Sequence, residues 1–97
     1  MISTHVLDTE LGEPAAGMKV GLFHGEDLVS LQETDENGRI ADLAQRGIDP
    51  GEYRLVFYLP GGFFQKVDLT VSIVEPEAHY HVPLLVSSYS CTTYRGS

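Results

Sequence analysis

The sequence predicts an all-β sandwich or barrel in a single domain that spans residues 1–97. Three observations favour this class. Short runs that alternate apolar and polar residues recur at a spacing of roughly 8–12 residues. Turn residues separate these runs, including Asn37-Gly38, Pro50-Gly51 and Pro60-Gly61-Gly62. No stretch sustains the 3.6-residue periodicity of an amphipathic helix, so we expect at most one short helix.

The alternation predicts seven or eight strands, the clearest at residues 2–7, 18–23, 28–32, 53–59, 67–73, 80–86 and 89–94. The second and third flank a tight connection at Gly25 and are expected to form a hairpin. A short strand should begin at Ile40 and lead into one helical turn that ends near Gly47. The 53–59 run is apolar on both faces, which is typical of a central strand, whereas 67–73 has the pattern of a half-buried one.

Composition excludes several classes of partner. The chain carries 14 acidic and six basic side chains, for a formal net charge of −8. Nucleic acids and anionic membrane surfaces select basic proteins, so neither is an expected partner. Cys91 is the only cysteine, which excludes an intrachain disulfide, and the first residues lack the pattern of a secretory signal. We therefore expect a cytoplasmic protein.

Histidines are the candidate catalytic groups, because imidazole titrates closest to neutral pH. His5 lies on the polar side of the first strand, where an isolated histidine is more often a surface residue. His79 and His81 share one face of a later strand beside Pro83, whose missing N–H suggests a sheet edge or a bulge. A transition metal on this pair needs a third ligand, and only Glu77 is near in sequence, so no metal site is expected.

Two further residues have a possible chemical role and a simpler explanation. Arg39 follows the Asn-Gly turn and can be either a solvated turn residue or the cation of an anion-binding pocket. Cys91 has no neighbouring base in sequence, so a buried thiol is favoured over a nucleophile. Sequence patterns of common hydrolases, such as Gly-x-Ser-x-Gly, are absent.

Four segments taken together resemble the transthyretin-related protein family, and within it the 5-hydroxyisourate hydrolases. They cover essentially the whole chain: Thr4–Thr9, Gly12–Met18, Thr34–Arg39, and His81–Leu85 with Tyr94–Ser97. The terminal Tyr-Arg-Gly-Ser motif distinguishes these hydrolases from transthyretin. The resemblance implies a transthyretin-like (prealbumin-like) two-sheet sandwich with one short helix, although Pro60 to Gln65 is short for the helix-bearing connection. It also implies a homotetramer, a dimer of dimers, with sites at the dimer–dimer interface.

The same resemblance implies an activity and a set of site residues. The reaction is hydrolytic opening of 5-hydroxyisourate to 2-oxo-4-hydroxy-4-carboxy-5-ureidoimidazoline in urate degradation, with no metal or organic cofactor. By motif position, the catalytic residues are His5, Arg39, His81 and Ser97. The substrate-binding residues are His5, Arg39, Tyr94, Arg95, Gly96 and Ser97. The alternatives are a non-catalytic transthyretin-like carrier of a small aromatic ligand and a sandwich that serves only as an interaction module.

These residue types suit the implied chemistry. A neutral imidazole can take a proton from water as the water attacks a carbonyl carbon. Two histidines close to each other and to an arginine should have depressed pKa values, which keeps the base neutral. The guanidinium of Arg39 can stabilise the negative charge that develops on the carbonyl oxygen. His5 and His81 are equivalent candidates for the base at this point.

Overall fold

A computed structural model describes all residues from Met1 to Ser97 as two packed β-sheets, which confirms the predicted β-sandwich. In chain order the strands are β1 (Ile2–Asp8), β2 (Glu13–Pro14), β3 (Lys19–His24), β4 (Asp27–Glu33), β5 (Arg39–Ile40), β6 (Gly51–Tyr58), β7 (Lys66–Ile73), β8 (Tyr80–His81), β9 (Leu84–Val86) and β10 (Cys91–Thr93). Seven of them are three residues or longer, and the other three are two-residue pairings. The predicted number of seven or eight therefore matches the longer strands.

Strand β1 organises the first sheet. The sheet has the order β10-β9-β1-β2, and β5 and β8 also pair with β1. Along one edge, β1 runs parallel to β8 and β9, and along the other it runs antiparallel to β5 and β2. The second sheet has the order β4-β3-β6-β7 with every pair antiparallel. The predicted hairpin of β3 with β4 and the central position of β6 are both confirmed.

The core lies between the two sheets and explains the register of β1. Ile2, Thr4 and Val6 are almost fully buried on its inner face, where the core also contains Leu55 and Phe57 of β6. Full burial of one such apolar side chain stabilises the fold by about 1.5–3 kcal/mol. The buried hydroxyl of Thr4 donates a hydrogen bond to the carbonyl of Val82 at 2.6 Å, which satisfies this polar group inside the core. The alternate residues of β1 consequently face away from the core.

The expected helical turn after Ile40 is wrong, because this segment is held against β1. The carboxylate of Asp42 accepts hydrogen bonds from the backbone N–H groups of Ile2 and Ala44, each at 3.0 Å. Leu43 N–H donates to the carbonyl of Ile2 at 2.7 Å. The bonds to Ile2 tie the segment to a distant strand, and the segment forms no helical turn.

The short helix implied by the family resemblance is also absent. The connection from β6 to β7 is closed by a hydrogen bond from Leu59 N–H to the carbonyl of Gln65 at 3.0 Å. Gly61 and Gly62 both have positive φ values within it, 119° and 107°, which a helix cannot contain. The fold has no helix that could span a membrane.

Pro83 divides the predicted 80–86 strand into β8 and β9, but the expected edge or bulge is wrong. Ser3 is the pairing partner of His81 and Val6 that of Leu84, so the register is the same on both sides of Pro83. β8 also has a neighbour on its other side, since His81 forms a β-bridge with Gly96. Proline therefore leaves a gap in the hydrogen bonding without adding a residue.

We predict that Gly38→Ala destabilises the protein more than an alanine substitution at a glycine with open space around it, because Gly38 lies in a tight turn against β1. Its φ of 73° is unfavourable for other residues, and an added Cβ would overlap the carbonyl oxygen of Val6. The control is Gly25→Ala, where φ is 62° and no atom lies within 4 Å of the added Cβ. Urea unfolding should show Gly38→Ala to be less stable than the control by about 1–3 kcal/mol. Equal losses in the two variants would contradict this view of the turn.

Candidate active site

The candidate site lies on the outer face of the first sheet, where β1 brings its two neighbours together. His5 is the pairing partner of Arg39 on β5, and Ser3 is the pairing partner of His81 on β8. Side chains of paired residues stand side by side on the same face of a sheet. Ile2, Thr4 and Val6 occupy the inner face, so the side chains of Ser3 and His5 lie on the outer face. Their pairing partners, His81 and Arg39, lie on the same outer face.

A hydroxyl joins the two histidines of the 79–81 segment. The Oγ of Ser3 lies 2.7 Å from Nε2 of His79 and 2.8 Å from Nδ1 of His81, so it is hydrogen-bonded to both rings. Ser3 is 8% exposed, whereas His79 is exposed and His81 is half-buried. The three side chains thus form a continuous chain from the interior of the site to the protein surface.

Arg39 lies at the end of the Asp35–Arg39 turn, and its backbone N–H forms one of the hydrogen bonds that hold this turn. The carboxylate of Asp35 accepts hydrogen bonds from the backbone N–H groups of Asn37 at 2.8 Å and Arg39 at 2.9 Å. These bonds, first that from Arg39, lower the pKa of Asp35, and the charges of Arg39 and His5 lower it further. The Asp35 carboxylate is therefore hydrogen-bonded to backbone N–H groups. The exposed guanidinium of Arg39 forms no salt bridge in the structure.

His81 is held as a neutral imidazole at physiological pH. Burial is the main cause that lowers its pKa below the ordinary value, because the charged form loses solvation. The positive charge of Arg39, and the charges that His79 and His5 carry when they are protonated, lower the pKa further. These effects are the ones expected for a histidine that acts as a base rather than as a permanent cation.

The end of the chain packs against His81. Gly96 N–H donates to the carbonyl of His81 at 2.7 Å, and the two residues form an antiparallel bridge. A Cβ at Gly96 would come within 2.6 Å of Cδ2 of the His81 ring, so only glycine allows this close approach. Ser97 then reaches the cavity beside the two histidines.

Tyr94 and Arg95 lie elsewhere. Both line a different cavity, beside β7, which also contains Leu69 and Val71. The guanidinium carbon of Arg95 is 4.6 Å from the centre of the Tyr80 ring, a cation–π contact that holds it on the inner side of β8. Of the terminal tetrapeptide, only Gly96 and Ser97 contact the histidine site within this chain.

The cavity itself has a volume of about 440 Å3 and opens to the outside of the sheet. Seven of its ten lining residues are polar or charged. The ten come from the start of β1, the Asp35–Arg39 turn and the residues after it, the 79–81 segment and the chain end: Met1, Ser3, Thr4, Asp35, Arg39, Ile40, Ala41, His79, His81 and Ser97. The predicted residues Arg39, His81 and Ser97 therefore meet in one cavity. His5 is half-buried and does not line it, although it is near enough for its charge to affect His81 and Asp35.

Ser3 is not among the site residues that the sequence predicts, and His79 is considered there only as a possible metal ligand. The alternation of β1 places Ser3 on the same face as His5, which is the signal that could have found it. No group of three or more His, Cys, Asp or Glu side chains is arranged to hold a metal ion. Cys91 is half-buried away from this cavity, and burial raises its pKa, which disfavours the reactive thiolate.

Comparison with protein families gives one match that covers nearly the whole chain. A family model described as the HIUase/Transthyretin family matches residues 2–96. The chain is 39% identical to 5-hydroxyisourate hydrolase 2 of Rhizobium meliloti (strain 1021) over 114 aligned residues. That alignment covers 99% of this chain and 95% of the relative.

Solved structures include proteins with the same fold. The 5-hydroxyisourate hydrolase of Klebsiella pneumoniae superimposes with a TM-score of 0.92 at 30% identity, covering 99% of this chain and 97% of that one. Transthyretin from Sparus aurata superimposes with a TM-score of 0.86 over 98% and 95% of the two chains. Its identity of 22% shows a common fold and nothing about ligands.

We predict that Arg39→Gln raises the pKa of His81, because removing a nearby positive charge makes protonation of the ring easier. Burial still opposes protonation, so part of the depression should remain. An NMR titration that follows the His81 ring protons measures the change directly. Arg54→Gln is the control, since Arg54 pairs with Asp68 at 2.8 Å in the second sheet and does not line the cavity. A His81 titration that is unchanged in Arg39→Gln would place the guanidinium away from the ring.

Proposed function

The chain belongs to the HIUase/Transthyretin family, and on this premise we propose that it is a hydrolase that opens the 5-hydroxyisourate ring. The product of this step is 2-oxo-4-hydroxy-4-carboxy-5-ureidoimidazoline, formed during urate degradation. Curated relatives with 36–40% identity over nearly the whole chain carry the name 5-hydroxyisourate hydrolase. The proposal needs no metal or organic cofactor, because proton transfer and charge stabilisation can both come from side chains.

One observation carries the proposal: a neutral imidazole and an unpaired guanidinium face the same cavity. The pKa of His81 is lowered by burial and by nearby cations, and Arg39 has no acidic side chain paired with it. Hydrolysis of a cyclic acyl–nitrogen bond needs a base for water and a cation for the developing oxyanion. The unpaired guanidinium also suits an electron-rich, oxygen-bearing ring in a chain whose net charge is −8.

The reaction begins when one histidine, His5 or His81, takes a proton from water. The water oxygen then bonds to the acyl carbon of the substrate, and a tetrahedral intermediate forms. His81 lines the cavity directly, whereas His5 lies next to Arg39 in the sheet and can act on water or on substrate from that side. His5 is also near enough for its charge to lower the pKa of His81.

Arg39 stabilises the oxyanion of this intermediate. Its guanidinium presents several N–H donors in a plane and stays charged through the reaction. The Asp35–Arg39 turn holds its backbone in place before substrate arrives, so little reorganisation is needed. When the acyl C–N bond breaks, the proton held by the histidine passes to the leaving nitrogen, and the enzyme returns to its starting state.

Ser97 and the backbone of Tyr94 to Gly96 orient the substrate in this proposal. Ser97 lines the histidine cavity and Gly96 packs against the His81 ring. Tyr94 and Arg95 lie at a different cavity of the same chain. They can bind substrate only if their cavity joins a site in the assembled protein.

We propose that the assembled protein is a homotetramer, a dimer of dimers, with each site covered by another subunit. The cavity lies on an outer sheet face and opens outward, so a single chain leaves it accessible to bulk water. A covering subunit would exclude that water and strengthen the interactions of Arg39. The 97 residues then act as one domain per subunit, and a cytoplasmic location stays a prediction from the lone cysteine.

A carrier of aromatic ligands is the weaker candidate. Transthyretins share the fold at 22–23% identity, including sea bream transthyretin in complex with thyroxine. Ligand cavities of carriers are mostly apolar with few polar groups. Here seven of the ten residues that line the outer cavity are polar or charged, including two histidines and an arginine, which an apolar ring would leave without partners.

We predict that His81→Ala and Arg39→Ala each lower kcat for 5-hydroxyisourate strongly. Loss of a general base costs about 10²–10⁴-fold, and loss of an oxyanion-stabilising group about 10²–10³-fold. The substrate is generated in the cuvette with uricase, and its ultraviolet decay is followed with and without protein.

The matched control is His24→Ala, which removes a histidine that stacks on Tyr53 at 4.5 Å in the second sheet. This variant should retain wild-type turnover. Size-exclusion chromatography of every variant separates loss of chemistry from loss of assembly. Normal turnover in His81→Ala or Arg39→Ala, with unchanged assembly, would refute the residue assignment, and no acceleration by the wild type would refute the activity.

We also predict that Gly96→Ala lowers activity much more than stability. The new methyl group would push the His81 ring from its position, because their separation would be only 2.6 Å. Gly96 lies near the end of the chain outside the core, so the free energy of unfolding should fall by less than about 1 kcal/mol. The decay assay and urea unfolding measure the two effects on the same sample. The opposite pattern, large destabilisation with normal turnover, would contradict the role of the tail.

A further inference from the structure

Ser3 occupies an unusual position, because its single hydroxyl is shared by two imidazoles. Its Oγ lies 2.7 Å from Nε2 of His79 and 2.8 Å from Nδ1 of His81. With 8% of its surface exposed, it has little access to solvent. No other side chain bonds to the hydroxyl, so its hydrogen-bonding capacity is divided between the two rings.

The chemistry of a hydroxyl couples the two rings. Ser3 carries one O–H proton and can donate it to only one ring nitrogen at a time. The other ring must then donate its N–H to the Ser3 oxygen, or one short contact would have no proton. If both rings donated to the oxygen, the buried Ser3 O–H would have no acceptor within the chain. The tautomers of His79 and His81 are therefore set together, in one of two opposite arrangements.

The function of His81 selects between these arrangements. With Nδ1 bonded to Ser3, only Nε2 of His81 remains free to face the cavity. A base must have this nitrogen unprotonated, so the proton of the neutral ring must be on Nδ1. His81 then donates to Ser3, and Ser3 donates its proton to Nε2 of His79.

We propose that Ser3 and His79 form a proton relay behind His81, in which Ser3 holds His81 as the Nδ1–H tautomer and His79 carries the positive charge during turnover. The relay rests on the proposed hydrolase function for its need of a base at His81. Ser3 and His79 are positioning residues in it, since neither has to touch the substrate.

The proton movements balance. When Nε2 of His81 takes a proton from water, the Nδ1 proton passes to Ser3 and the Ser3 proton passes to Nε2 of His79. His81 becomes a neutral Nε2–H ring, and His79 becomes an imidazolium. When Nε2 of His81 gives its proton to the leaving nitrogen, the other two protons move back and the starting state is restored.

The surroundings explain why charge should leave His81. Its ring is half-buried and surrounded by Arg39 from β5 and His5 from β1, so a positive charge there is opposed by desolvation and repulsion. His79 is exposed, and water can solvate its charge. The other charged groups around the relay are the carboxylate of Asp35, the Met1 amino group and the α-carboxylate of Ser97, all from residues at the cavity wall.

Two substitutions at Ser3, isosteric with each other, test the relay. Ser3→Thr keeps the hydroxyl and adds a methyl group, Ser3→Val has a second methyl group in place of that hydroxyl, and both residues are compatible with a strand. We expect Ser3→Thr to retain most of the wild-type kcat and Ser3→Val to lose at least tenfold in kcat, with KM changed by less than about twofold. His79→Ala should also lower kcat, and the Ser3→Val/His79→Ala double variant should be no slower than Ser3→Val alone.

A second measurement reads the tautomer without any substrate. The ring nitrogen shifts of 15N-labelled protein distinguish Nδ1–H from Nε2–H, and His81 should be Nδ1–H in the wild type and in Ser3→Thr but not in Ser3→Val. An Nε2–H ring in the wild type, or equal kcat values for the Thr and Val variants, would overturn the relay while the hydrolase function stands. If Ser3→Val does not fold, full kcat in His79→Ala, at its exposed position, overturns it equally. A wild type without hydrolase activity would instead overturn the function, and the nitrogen shifts would still test the tautomer.

Discussion

The two-sided pairing of β1 is the constraint on which the rest of the structure depends. One edge of the strand holds β5 with Arg39, and the other holds β8 with His81, so residues 42 positions apart in sequence meet across a single strand. Burial of Ile2, Thr4 and Val6 fixes the register, because a shift by one residue would turn Ser3 and His5 into the core. Core packing therefore sets the geometry of the site, although none of the proposed catalytic side chains belongs to the hydrophobic core.

The unpaired guanidinium of Arg39 in an acidic chain follows from how the nearby carboxylates are used. Asp35 and Asp42 lie close to the site in sequence, but each accepts hydrogen bonds from backbone N–H groups. These carboxylates thus stabilise turns and form no salt bridge with Arg39. Burial lowers the pKa of His81, and the positive charge of Arg39 lowers it further. Local arrangement rather than net charge decides the electrostatics here.

The chain end contributes to both faces of the first sheet. Arg95 lies over the Tyr80 ring on the inner side, while Gly96 bonds to His81 and lies flush with its imidazole. Alternation along an extended chain produces this division, since neighbouring residues face opposite ways. The cation–π contact anchors the tail, and the anchored tail supports the ring that we propose as a base. Chain termini are usually frayed. Here the last residues are ordered because they contact Tyr80 and His81 of the first sheet.

The sequence alone determined the longer strands, because an alternation of period two shows which residues can face a core. The β3–β4 hairpin and the central position of β6 were predictable for this reason. Its motifs also indicated Arg39, His81 and Ser97, which do share a cavity. Tertiary structure alone decided that the segment after Ile40 bonds to β1 instead of forming a helical turn, and that Ser3 joins His79 to His81. Both depend on contacts between residues about 40 to 78 positions apart, and local periodicity contains no information about which distant strand a residue will meet.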